Sequence, residues 1–418
     1  MLHCLLQLVS KLWVRWQTSV LWILIAGMAA KAVLRISYGL TCLLFLKGTK
    51  PAVDLAQRYN EIQLWFAGGD VYTQLEEGGV YPPASHVILW PFLNYSSWTL
   101  IRYLWAITSV AALIWLVYLL VKASQASNVQ EKVLIALISL SAYATNINFI
   151  NGQLTIHILA FLVAALTLIK TNKKKLTLGK SSLWAGFFLA VALVKPTVTL
   201  PFFFIPLFVS QGLLIAIVAV VIYTIFALIA TAFQNASIVT LHLDWLERGK
   251  LGTEVSSTAN SNNLAGYGDI HSFLASRDIS DFNFESSMII LVIFAVWLYF
   301  HRYVDLWILI GVAALVSRFW AYHRIYDDLV IILPMVTLFR LTKQTNVDQI
   351  NRIASGIMLA IAIFSTFLLD RLLLFNPPKN SLFAHSQIVV WLLMLGFMIF
   401  QAFQQRNSQF NNYKSLVN

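Results

Sequence analysis

Residues 213–233 read LLIAIVAVVIYTIFALIATAF, a run without a single charged side chain. A helix rises 1.5 Å per residue, so about 20 apolar residues cross the hydrocarbon core of a bilayer. This run is long enough to cross. Comparable runs recur at 18–46, 98–121, 131–149, 154–170, 181–195, 197–209, 285–301, 304–318, 327–341, 352–371 and 386–404. The runs 181–195 and 197–209 are short, and Pro196 and Pro201 interrupt a continuous helix there. That region reads as one broken helix or a re-entrant pair, which gives about 10–12 spans in all.

Composition agrees. Of 418 residues, 59% are hydrophobic and 11% charged; soluble proteins reach about 45–50% apolar and about 25% charged. The chain is expected to be an all-α polytopic membrane protein. A soluble enzyme, a disordered tail protein and a disulfide scaffold are excluded. The net charge of +11 belongs on cytoplasmic loops, not on nucleic acid. Cys4 lies in the first few residues and Cys42 near the far end of the first apolar run, so no disulfide is expected.

Residues 1–17 carry Leu2, Leu5, Leu6, Val9, Leu12, Trp13 and Trp16 at helical spacing. The segment reads either as an interfacial amphipathic helix or as an extension of the first span. Residues 18–404 are expected to form one transmembrane catalytic domain, and 405–418 a cytoplasmic tail. The run KTNKKK at 170–175 sets the orientation, with both termini cytoplasmic. The long segments 47–97 and 234–284 then fall on the extracytoplasmic side. They carry Trp65, Phe66, Tyr72, Tyr81, Trp90, Trp245 and Tyr267, more aromatic content than disorder tolerates.

Asp54, Asp70, Asn148, Asn151, Gln153, Lys195, Asn262, Asn263, His323, Arg324, Asp327 and Asp328 are all placed at or near outer helix ends. Ionisable groups at membrane depth are costly and mark functional sites. Each also has a plain structural reading. Lys195 snorkels, Asn151-Gly152 forms a tight turn, or Asp327 pairs with Arg324. Lys31 and Arg35, inside the first span, have no assignment. The sequence lacks a P-loop, GxSxG, HExxH and Asp-x-Asp. Any enzyme activity would therefore use a donor that arrives through the membrane, and neither a cofactor nor a metal is implied.

Residues 54–92 read DLAQRYNEIQLWFAGGDVYTQLEEGGVYPPASHVILWPF. An Asp follows the first span, then come Tyr59, Gly69-Asp70-Val71-Tyr72, Tyr81-Pro82-Pro83 and Pro91-Phe92. Asn151-Gly152-Gln153, the stretch at 185–196 ending Val-Lys-Pro, Asn262-Asn263-Leu264 and Tyr322-His323-Arg324 follow in order. This set resembles glycosyltransferase family 87 of the GT-C membrane class, the type that uses polyprenyl-phosphate-mannose. Asn262-Asn263-Leu264 departs from that family's Asn-Gln-Ser pattern. The resemblance implies a GT-C-like bundle, a polyprenyl-phosphate sugar donor, a glycolipid or glycan acceptor, and location in the plasma membrane. It implies substrate contacts from Arg58, Tyr59, Asp70, Tyr72, Tyr81, Gln153, Asn262 and Asn263.

The residues fit that chemistry independently. Lys195 and Arg324 supply charge-assisted donors for a phosphate, with His323 as a further donor or a helix cap. Asp54 is placed to act as general base in an inverting transfer. Its rival is Asp70, which after Gly68-Gly69 reads more readily as a turn former. Asp54 itself has a structural alternative as N-cap of the helix that follows. The alternative function is a polytopic transporter or lipid flippase, although only one interrupted region is visible where transporters show matched pairs. A scaffold would not need Lys195, His323 and Arg324 to converge.

Overall fold

The computed structural model describes residues 2–46, 51–75, 79–169, 179–209, 212–259, 269, 271, 283–345, 347–367, 369–370 and 379–417. Among them every regular element is helical. In chain order, α1 spans Leu2–Phe45, α2 Val53–Phe66, α3 Val71–Gln74, α4 Pro83–Leu93, α5 Trp98–Ala123 and α6 Val129–Leu140. Then come α7 (Tyr143–Asn151), α8 (Thr155–Thr167), α9 (Lys180–Ala192), α10 (Pro196–Phe208), α11 (Leu213–Thr231) and α12 (Ile238–Ala259). Helices α13 (Asn283–His301) and α14 (Leu306–Trp320) lead to a 3-10 helix at Ile325–Ile331. Helices α15 (Ile332–Lys343), α16 (Gln349–Phe367) and α17 (Lys379–Val417) complete the bundle.

Six helices among the described residues are long and apolar enough to cross a membrane: α1 over Thr18–Phe45, α5, α11, α13 over Phe284–His301, α16, and α17 over His385–Gln409. They turn apolar side chains outward, such as Ile23 and Leu34 on α1 and Ile107 and Ile114 on α5. This is the surface a bilayer covers. Several other expected runs appear as shorter helices of a different kind. α8 and α14 are buried along most of their length, with Leu159, Leu162, Leu309 and Leu315 fully enclosed. A helix apolar on all sides is stable inside a bundle. Flanked by other helices, these segments need not match the bilayer thickness by themselves.

The run 131–149, expected as a span, is bent within its length: α6 and α7 meet at 43°. Thr145 Oγ1 donates to the Ser139 carbonyl at 2.6 Å across the break, while the Leu137 carbonyl keeps the Ser141 N–H at 2.9 Å and also accepts the Ser141 hydroxyl. The interruption at Pro196 is as expected. α9 ends at Ala192, and Pro196 opens α10 at the position where its missing N–H costs nothing. At the amino end, α1 runs without a break from Leu2 to Phe45.

The unassigned charges of the first span tie it to the far end of the chain. Lys31 Nζ lies 2.8 Å from Asp370 Oδ1 and also donates to the Phe367 carbonyl at the end of α16. Arg35 pairs with the other Asp370 oxygen and donates to the Ser141 carbonyl at 2.9 Å. Arg102 donates to the carbonyls of Leu43, Cys42 and Leu46, placing a cation at the negative end of α1.

Candidate functional site

The site is built around the turn between α7 and α8. Gly152 has φ +65°, its N–H meets the Phe149 carbonyl at 3.2 Å, and Gln153 N–H meets the Asn148 carbonyl at 2.8 Å. These two bonds form a Schellman cap, for which glycine is suited because left-handed backbone carries no Cβ penalty there. A Cβ on Gly152 would stand 2.6 Å from Leu55 Cβ. The turn therefore admits α2 at close range, and Ala52 N–H bonds the Ile150 carbonyl at 2.8 Å. Ala52 is the residue before α2, held at φ 57° and fully buried. Asp54 lies in the first turn that follows.

Asp54 is half-buried and makes no hydrogen bond or ion pair among the described residues. Lys195, Tyr81 and Tyr326 all lie within its electrostatic reach. The capping alternative does not hold: Ala52 occupies the N-cap position and no side chain bonds there. Asp54 is left as an open acceptor facing a cation and two phenols.

Lys195 stands between α9 and α10, and its ammonium is buried. It lies 2.5 Å from Asp327 Oδ1 and donates to Thr155 Oγ1 at 3.1 Å. Thr155 in turn donates to the same carboxylate oxygen at 2.8 Å. The second oxygen of Asp327 faces His323 Nδ1 at 3.2 Å. The pairing of Asp327 with Arg324 considered from sequence is thus replaced by one with Lys195. Buried charges need both a partner and hydrogen bonds to their remaining lone pairs, and this cluster supplies them. The adjacent Asp328 faces the other way, to Arg318 at 2.5 Å and the Tyr143 hydroxyl. The 3-10 helix thus anchors two cations from different helices.

The roof is a strap at 79–83. Glu61, almost fully buried, accepts from Gly79 N–H at 2.8 Å and pairs with Arg58 Nη2 at 2.7 Å. Arg58 covers the Tyr81 ring at 4.4 Å. Burial pushes the Glu61 carboxyl up, against the pull of Arg58. Burial also raises the Tyr81 phenol, opposed by Lys195 and Arg58. Gly79 has φ +67°, and a Cβ there would stand 2.8 Å from the Val71 carbonyl, so the strap can close only with glycine.

Of the residues expected at the site, Asp54, Arg58, Tyr81, Lys195 and His323 converge. Arg324 is exposed at the start of the 3-10 helix, with its guanidinium on the Tyr322 hydroxyl. Asp70 accepts from Tyr72 N–H at 2.9 Å and the Thr73 hydroxyl at 2.8 Å, so it caps α3, as its glycine context suggests. The Tyr72 hydroxyl donates to the Tyr81 carbonyl at 2.9 Å, which holds the strap from behind. Tyr59 packs on Trp98 at 5.8 Å, and Gln153 is buried within the turn. Asn262 and Asn263 lie outside the described residues, as does the lysine run at 173–175.

Sequence reasoning passed over Tyr326. Lys195 Nζ lies 4.8 Å above its ring, and Asn148 Nδ2 holds its carbonyl at 2.8 Å. Its phenol has no hydrogen-bond partner among the described residues. Asp54, Asp327, Tyr81 and Tyr322 all act on it electrostatically. A tyrosine beside two aspartates carries no periodic signal; only its place between the loops marks it. Glu61 was also missed, because the Arg58–Glu61 spacing reads as an ordinary helix-surface pair.

Together these residues offer a carboxylate without a hydrogen-bond partner among the described residues as proton acceptor, a buried ammonium held in place by a carboxylate, and the phenols of Tyr81 and Tyr326. The sequence model of glycosyltransferase family 87 matches residues 80–338, more than half of the chain. No curated protein matches it. The chain belongs to glycosyltransferase family 87.

Proposed function

We propose that this membrane glycosyltransferase moves a hexose, mannose in the first instance, from a polyprenyl-phosphate donor to a hydroxyl of a glycolipid or glycan. The reading places the site on the extracytoplasmic side of the plasma membrane. Asp54 takes the acceptor hydroxyl proton as that oxygen bonds the anomeric carbon. The carbon–oxygen bond to the lipid phosphate breaks, and the phosphate departs with the electron pair. Attack from the face opposite the leaving group inverts the anomeric centre. Lys195 is assigned to the donor phosphate, with His323 on the same Asp327 and the exposed Arg324 as further donors. Arg58, Tyr81 and Tyr326 line the sugar side.

The observation that carries this reading is the state of Asp54: half-buried, without a hydrogen-bond partner among the described residues, and within electrostatic reach of the one ammonium at the centre of the cluster. A lipid-phosphate leaving group needs no second carboxylate, because it is already a stable anion. The test uses purified protein in nanodiscs with labelled polyprenyl-phosphate mannose and a glycolipid extract. The expected result is label transferred to a glycolipid with inverted anomeric configuration. Transfer from a nucleotide sugar, with the lipid-linked donor left intact, would overturn the donor assignment.

A further inference from the structure

The helix α12 has two faces of unusual character. One packs on the roof of the site: Leu241 is fully buried, Trp245 Nε1 donates to the Val80 carbonyl at 3.0 Å, and Arg248 donates to the Leu75 carbonyl at 2.8 Å. The opposite face carries Val239, Leu243 and Leu246, spaced four and three residues apart and therefore in one row. All three are exposed, Val239 at 64% and Leu243 at 60%. Lys250 continues the same row. A helix covering a loop in water would carry polar residues there.

Position identifies what covers this row. α11 crosses the membrane and ends at Thr231, and α12 begins at Ile238, so its first turn starts where a span has just left the hydrocarbon. Phe233, between them, is exposed and packs edge-on against Phe66 at 4.7 Å, with exposed Trp90 5.8 Å from that ring. Aromatic rings of this kind collect at the headgroup level. An apolar row with a lysine in line fits the plane of the interface, leucines among acyl chains and ammonium among phosphates.

We propose that α12 is a surface-bound helix whose Val239–Leu243–Leu246 row inserts into the leaflet on the side of the site. Its other face then ties the strap at 79–83 to the bilayer through Trp245 on Val80, and the end of α3 through Arg248 on Leu75. The lipid surface then braces the strap that carries Tyr81.

The test places nitroxide labels at residues 243, 246 and 247, as single cysteine variants in a Cys4→Ser background with Cys42 buried. The full chain is reconstituted in nanodiscs of phosphatidylcholine and phosphatidylglycerol. Labels at 243 and 246 are expected to be relaxed by oxygen and protected from a water-soluble nickel chelate, with the reverse at 247. Leu243→Trp read with brominated lipids gives a second measurement, with a larger quenched fraction expected than for the unsubstituted protein and its 14 tryptophans. Nickel-accessible labels at 243 and 246 without that added quenching would overturn the proposal. So would label–label broadening, which would assign the row to a second copy. Labels shielded from both reagents would place the row against protein rather than lipid and overturn the proposal as well. None of these outcomes depends on which sugar is transferred.

Discussion

Replacing Lys195 by Met while leaving Asp327 in place strands a carboxylate whose side chain is 4% exposed. Replacing Asp327 by Leu strands an ammonium that is 9% exposed. Breaking a buried pair from one side costs about 3–5 kcal/mol, because the remaining charge keeps its desolvation penalty. Asp327→Leu is expected to be the costlier, since it also removes the acceptors of Thr155 and His323. The double variant Lys195→Met/Asp327→Leu removes both charges. It should recover most of the loss, since apolar replacement of a whole pair is often neutral or stabilising by about 1–4 kcal/mol. Thermal unfolding of the four proteins in nanodiscs measures the coupling. The double variant then isolates function from stability. If the ammonium serves the donor phosphate, KM for the lipid donor rises roughly 10- to 150-fold, the equivalent of about 1.5–3 kcal/mol for a hydrogen bond to a charged group. Additive losses would refute the pairing as an energetic unit. A stable double variant with unaltered donor KM would refute the phosphate role.

Asp54→Asn should fold normally and lose about 10²–10⁴-fold in turnover, the range for general base catalysis; near-normal turnover would remove the assignment. Asp70→Asn keeps a capping side chain and should hold both activity and stability, while Asp70→Ala should cost about 1 kcal/mol in unfolding experiments with little change in turnover. His86 stacks on Trp65 at 4.2 Å, and burial, with Arg58 adding to it, pushes its imidazole down to about 3. The unfolded chain takes up a proton near pH 6.5 that the folded chain refuses, so stability is full above that pH and falls below it. The loss between pH 7 and pH 5 should be about 2 kcal/mol, and His86→Phe should flatten the profile; an unchanged slope would sink the idea. Gly152→Ala forces a left-handed alanine, costing about 1–2 kcal/mol, and pushes Leu55 away, so turnover should fall along with thermal stability. In spheroplasts, a cysteine at residue 174 should react only from the cytoplasmic side and one at 95 only from outside; the reverse pattern would overturn the orientation.

Sequence alone determined that this is a helical membrane protein, because hydropathy and span length are local properties of a run such as 213–233. It located the break at Pro196, where a proline suits the first position of a helix. The expected interruption at Pro201 does not occur, because α10 continues through it to Phe208. The turn at Asn151-Gly152 and the cap at Asp70 were legible for the same reason: backbone geometry there is set by the residues themselves. The family resemblance was legible as an ordered set of short motifs.

What the sequence withheld were relations between distant residues. The runs at 154–170 and 304–318 look like spans, yet α8 and α14 lie inside the bundle, and only the helices around them decide that. The 43° bend between α6 and α7 leaves the Ser139 carbonyl to the hydroxyl of Thr145, a residue that a straight helix would equally accommodate. Asp327 finds Lys195 rather than its neighbour Arg324, and Asp370 collects Lys31 and Arg35 from the opposite end of the chain. Charge pairs at membrane depth are chosen by which helices pack together, since a low-dielectric interior leaves no water to serve as partner. Tyr326, Glu61 and the outward row of α12 became visible only once tertiary structure had given each side chain its surroundings.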